Sequence, residues 1–126
     1  MRLRTPLSQA RGLGAAGEGI HHWWTQRLTA LALIPLSLWL VASIISIVGA
    51  DYPTAVQWVR SPVVAVLLLL FIATAFYHAQ LGLQVVLEDY VHVGWAKVAT
   101  IMLSKFLMIT LAVVAGLAVL RVALGG

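Results

Sequence analysis

The chain has 126 residues, 62% of them hydrophobic and only 10% charged, with a mean hydropathy of +1.00. A soluble domain carries about 25% charged residues, so this composition reads as an integral membrane protein. Cysteine is absent, which removes disulfides, thiolate nucleophiles and thiolate ligands for zinc or an iron–sulfur cluster.

The net charge of +4 comes from eight cationic residues scattered around apolar runs. They form no basic patch for nucleic acid and read as topology signals. Met1 to Gln26 is polar and glycine-rich, carries Arg2, Arg4 and Arg11, and has no apolar run of the kind a signal peptide needs. It reads as a tail (1–26) ending in His21-His22-Trp23-Trp24, whose indoles suit a membrane surface. A first span is expected at about 28–48, close to the ~20 residues that cross a hydrocarbon core. Pro35 lies inside it. Gly49 to Ser61 is expected to be a loop, with Asp51-Tyr52-Pro53 as a turn signal. A second span at about 62–87 opens on Pro62, where a missing amide donor costs nothing. After a loop from Glu88 to Lys97, a third span runs over about 98–124, interrupted only by Lys105 and Arg121, which can snorkel.

Arg2, Arg4, Arg11, Arg27, Lys97 and Lys105 fall on one side of the membrane and Arg60 and Arg121 on the other. That count of six against two predicts a cytoplasmic N-terminus. The fold class expected is therefore an all-α integral membrane protein of three transmembrane helices, as one membrane-anchor domain over 1–126. Three spans in so short a chain can hardly build a complete enzyme, which points to a subunit of a larger helical bundle.

The chemistry concentrates between Tyr77 and His92. His78 lies within the second span, and Asp89 and Tyr90 lie at its mouth. At about 100° and 1.5 Å per residue, the eleven positions from His78 to Asp89 make about three turns, placing both on one face about 16 Å apart. Gly82, one turn after His78, leaves bare backbone on that face where a flat ligand could lie. Histidine inside a span needs a partner. His78 either bonds a neighbouring helix or serves as an axial ligand to haem iron, which accepts imidazole nitrogen. The chain has no second histidine at depth, so a haem would need its other ligand from another subunit. Asp89 and Tyr90 are either interfacial residues or a quinone site, in which the phenol donates to a quinone carbonyl and the acid orients it or passes protons. Arg27 is either a snorkelling cation or an anchor for a carboxylate such as a haem propionate; His21 and His22 could serve similarly. Ala75 and Ala79 permit close helix approach. With Glu18, Asp51, Glu88 and Asp89 as the whole acidic complement, all outside the apolar runs, a proton-driven transporter has little to work with.

The pattern His78-x3-Gly82-x6-Asp89-Tyr90-Val91 resembles the second-helix signature of the smaller, D-type membrane-anchor subunits of succinate dehydrogenase (respiratory complex II). Gly19-Ile20-His21 with Arg27 six positions on resembles that family's entry to its first helix. The resemblance implies a b-type haem shared with a second, cytochrome b-type anchor subunit, with His78 as the iron ligand and Arg27, His21 and Gly82 around the propionates and pocket. It implies ubiquinone as substrate, with Tyr90 and Asp89 at the quinone. It also implies an iron–sulfur subunit and a flavoprotein as partners, which carry the clusters, FAD and the succinate site. The setting implied is a bacterial inner membrane, multi-pass, in contact with lipid and no nucleic acid. This chain has Leu83 and Gln84 where some relatives carry a bulkier aromatic after the glycine. Two other readings stay open: the anchor of a quinol:fumarate reductase, and a small non-redox structural or transport protein.

Overall fold

A computed structural model describes residues 15–125, with side chains from 20 onward. Four helices follow in order: α1 (Ala15–Ile47), α2 (Tyr52–Arg60), α3 (Pro62–Tyr90) and α4 (Gly94–Ala123). No strand occurs among the described residues. Three stretches are long and apolar enough to cross a membrane, Ile20–Ile47, Pro62–Tyr90 and Gly94–Ala123. With 29 and 30 residues, α3 and α4 reach about 44 and 45 Å at 1.5 Å per residue. That exceeds a ~30 Å hydrocarbon core, so both ends stand in the interface.

The helices extend beyond the apolar runs that announce them. α1 begins at Ala15, well before the expected start near 28, and carries the His21–Trp24 cluster in its early turns. Local contacts support these extra turns: Thr25 Oγ1 donates to the His21 carbonyl at 2.7 Å, and the Arg27 guanidinium sits 4.5 Å from the Trp23 ring centroid, one turn away. Arg2, Arg4 and Arg11 of the expected tail lie outside the described residues.

The expected loop from Gly49 to Ser61 contains a helix. Gly49 adopts φ +83°, the left-handed conformation that lets the chain turn after α1. Asp51 then caps α2, its carboxylate accepting from the Thr54 amide at 3.0 Å, with Pro53 in the first turn. Asp-x-Pro serves equally as a turn and as a helix start, and here the helix prevails. The Thr54 hydroxyl and amide hold the exposed Asp51 carboxyl below the usual carboxylate range. Trp39 of α1 stacks on Trp58 of α2 at 6.1 Å between centroids. Arg60 Nε donates to the Val122 carbonyl of α4 at 3.3 Å. These contacts bind α2 across the end of the bundle remote from the α3–α4 turn. At that turn α3 continues to Tyr90 and α4 starts at Gly94, which leaves only Val91, His92 and Val93 between them.

α3 is the central helix, packing along both α1 and α4. Among the described residues only Leu81, Gln80 and Ser104 are buried, while apolar side chains on every span are exposed. A water-soluble chain could not present such a surface. In a bilayer those side chains face acyl chains or other helices.

Candidate functional site

The α1–α3 seam carries the polar residues that the spacing placed together. On α1 the half-buried positions His22, Thr25, Gln26 and Thr29 fall at i, i+3, i+4 and i+7 and form one stripe. Thr29 faces α3, and its Oγ1 lies 2.9 Å from His78 Nδ1. The same oxygen lies 2.9 Å from the Thr25 carbonyl and 3.0 Å from that of Gln26. His78 is half-buried, which leaves part of its ring accessible. A Cβ built on Gly82 meets nothing within 4 Å, so the face one turn beyond His78 is open space.

Asp89 and Tyr90 end α3, both exposed, Tyr90 at 78% of its surface. A second molecule therefore has access to the phenol. His21 and Arg27 are also exposed, on α1 but off the stripe that carries Thr29. Six positions apart, they lie about 120° from each other around α1. His22, grouped with His21 by sequence, is the half-buried member on the α3 side. Among the described residues no group of three or more His, Cys, Asp or Glu converges, so a metal bound through His78 needs ligands from outside the chain.

The other face of α3 differs. Gln80 stands two residues, about 200°, around the helix from His78 and is buried with both amide atoms lacking a hydrogen-bond partner. It lines a cavity of about 500 Å³ between α3 and α4, shared with Tyr77, Gln84, Lys105 and Met108. Gln84 Nε2 donates to Glu88 Oε1 at 3.0 Å. Sequence reasoning singled out neither Thr29 nor Gln80. For Thr29 the signal was present in the 22/25/26/29 spacing of polar residues; for Gln80 only the packing of α4 distinguishes it from an outward-facing amide.

Three membrane-crossing helices, one polar seam from Thr29 and His78 to the exposed Asp89–Tyr90 end, and almost no core of its own define a multi-pass membrane subunit that is completed by other chains. Residues 1–119 match the model of a family described as succinate dehydrogenase/fumarate reductase transmembrane subunit. A succinate dehydrogenase hydrophobic membrane anchor subunit of Rickettsia bellii (strain RML369-C) is 38% identical over 88 residues, 70% of this chain and 70% of that protein. Its counterpart in Rickettsia conorii (strain ATCC VR-613 / Malish 7) is 34% identical over 89 residues, 70% and 71% of the two chains. That of Paracoccus denitrificans is 30% identical over 101 residues, 80% and 78%. No solved structure matches the chain significantly. The chain belongs to the succinate dehydrogenase/fumarate reductase transmembrane subunit family, among the hydrophobic membrane anchor subunits of succinate dehydrogenase. It is thus a complex II subunit that associates with other subunits of that complex, which answers the sequence's open choice against a free-standing structural or transport protein.

Proposed function

We propose that this anchor holds one b-type haem jointly with a second, cytochrome b-type anchor subunit and contributes Tyr90 and Asp89 to the site of ubiquinone reduction. The observation that carries this reading is the half-buried imidazole of His78, held through Nδ1 by Thr29 beside the open backbone of Gly82. A single imidazole bonded within the chain through Nδ1 alone, next to a gap that a side chain would fill, fits an iron ligand and the edge of a flat macrocycle. When bound, the haem supplies one-electron redox chemistry at membrane depth.

This chain's own side chains supply the contacts on its side of the site. His78 would hold the iron through Nε2, and the second anchor would supply the other protein ligand. Arg27 and His21 are both exposed on α1, which leaves them accessible to the second anchor. To grip a propionate, Arg27 must leave the Trp23 ring, a cation–π contact worth about 0.5–1 kcal/mol at an exposed site. A charge-assisted hydrogen bond to a carboxylate contributes about 1.5–3 kcal/mol, so the exchange is favourable. The Tyr90 hydroxyl donates to a quinone carbonyl, and Asp89, beside it at the rim, orients the phenol and passes protons from water. Quinone reduction consumes two electrons and two protons, so the rim of the membrane is where both water and an isoprenoid tail can reach.

The charge count supports a cytoplasmic side for the α1 start and the α3–α4 turn, and the bacterial relatives support an inner membrane as the setting. The iron–sulfur subunit and the flavoprotein, with the clusters, FAD and succinate site, dock on that side. The relatives are named for succinate dehydrogenase, which favours quinone reduction over the fumarate-reducing direction. The test is a reduced-minus-oxidised spectrum of the purified complex. A low-spin b-type spectrum is expected for the native complex, and a lost or altered one for His78→Ala. A well-assembled native complex without haem would remove the ligand role.

A further inference from the structure

Resting on that haem reading, we infer that Thr29 is the positioning residue of the site: it fixes the imidazole of His78 in the tautomer that carries its proton on Nδ1 and leaves the Nε2 lone pair for iron. The argument is a count of donors and acceptors. Thr29 Oγ1 has one proton and two lone pairs, and three groups surround it: the carbonyls of Thr25 and Gln26 at 2.9 and 3.0 Å, and His78 Nδ1 at 2.9 Å. The carbonyls can only accept. If the hydroxyl proton goes to them, an oxygen lone pair is free to accept from Nδ1–H, and the cluster makes two hydrogen bonds. If the hydroxyl donates to Nδ1 instead, only one bond forms, and the ring proton moves to Nε2. That proton would then need an acceptor at membrane depth, where an unpaired polar group costs several kcal/mol.

The first arrangement therefore prevails, and it runs in one direction: ring N–H to Thr29 oxygen, Thr29 hydroxyl to helix backbone. The backbone end is rigid, because both carbonyls belong to α1. A ligating histidine gains from such a partner in two ways. The bond holds the ring plane, and it makes the other nitrogen a better electron donor. Here the partner sits 49 residues away on a different span, so the α1–α3 packing itself sets the ligand's orientation.

The test uses the complete complex carrying Thr29→Ser, Thr29→Val or Thr29→Ala, normalised to flavin. It measures haem content, haem midpoint potential and the low-spin electron paramagnetic resonance signal. Thr29→Ser keeps the hydroxyl and is expected to match the native complex in all three. Thr29→Val keeps the shape without the acceptor; Thr29→Ala preserves the helix and removes both. Both are expected to weaken haem retention by about 10- to 100-fold, move the potential in the positive direction and shift the resonance signal. Native potential and haem retention in Thr29→Val and Thr29→Ala, with haem still dependent on His78, would overturn the positioning role alone. So would a Thr29→Ser complex that behaves like Thr29→Ala. A haem that survives His78→Ala unchanged would overturn the parent reading as well.

Discussion

Two residues apart on α3, His78 and Gln80 sit in opposite surroundings. His78 looks toward α1, is half-buried and bonds Thr29. Gln80 looks toward α4, is buried, and has neither amide atom paired. Among the described residues the α3–α4 interface contains the most tightly covered ones, Leu81 and Ser104 together with Gln80. Ser104 turns its hydroxyl back onto the Ile101 carbonyl of its own helix. The α1–α3 side leaves open space at Gly82. One face of α3 thus leaves room beside its histidine while the other packs against α4, and perturbing the two faces should give opposite signatures.

The largest effect is expected at the open face. Gly82→Phe extends a ring from a position whose Cβ the chain leaves unobstructed, so insertion and folding should survive while the proposed haem is displaced. Overpacking of this kind costs about 1–3 kcal/mol, or roughly 5- to 150-fold in haem retention. The matched control is Gly116→Ala on α4, whose new methyl would meet Leu69 at an ordinary 3.7 Å and should leave haem content native. Equal haem loss in both variants would erase the contrast between the faces.

Next comes the rim. Tyr90→Phe removes one hydroxyl from an exposed position. A neutral hydrogen bond contributes about 0.5–1.5 kcal/mol, so succinate:quinone reductase activity should fall about 3- to 10-fold. Succinate oxidation with an artificial acceptor should stay native, because the proposed function puts that chemistry on other subunits. A parallel fall in both rates would mean that Tyr90 serves assembly.

On the closed face, Gln80→Leu should stabilise. An unpaired buried amide costs about 1–3 kcal/mol, and leucine removes it at similar volume. The thermal unfolding midpoint of the detergent-solubilised complex is expected to rise. A fall would show that a neighbouring subunit pairs the amide in the assembled complex.

The smallest effect belongs to the exposed cap of α2. The native carboxyl of Asp51 is held below its usual range by Thr54. Its contribution is therefore full above the unfolded value of about 3.9 and fades as pH falls through the lower native value. Exchange of the Thr54 amide, corrected for the intrinsic rate, should quicken across that acid window. In Asp51→Ala it should be fast throughout.

Much of this arrangement was legible in the sequence, for physical reasons. Apolar runs of span length leave a chain no solvent but lipid, so three crossings follow from composition and length alone. The period of 3.6 residues places His78, Gly82 and Asp89 on one face wherever the helix packs. Helix ends were less legible: the runs end where hydrocarbon ends, while hydrogen bonding continues into the interface, so α1 starts earlier and the second loop shrinks to three residues. Asp51 and Pro53 were compatible with a turn, and only the tertiary contacts of Trp58 and Arg60 chose a helix.

Which of two polar residues on one span is satisfied is a matter of neighbours, and periodicity carries no information about neighbours. The sequence by itself determined the crossings, the face shared by His78, Gly82 and Asp89, and the family pattern. Only packing decided that Thr29 would meet His78 while Gln80 turned into an apolar cleft, because a hydrogen bond between spans depends on the rotation and height at which two helices pack.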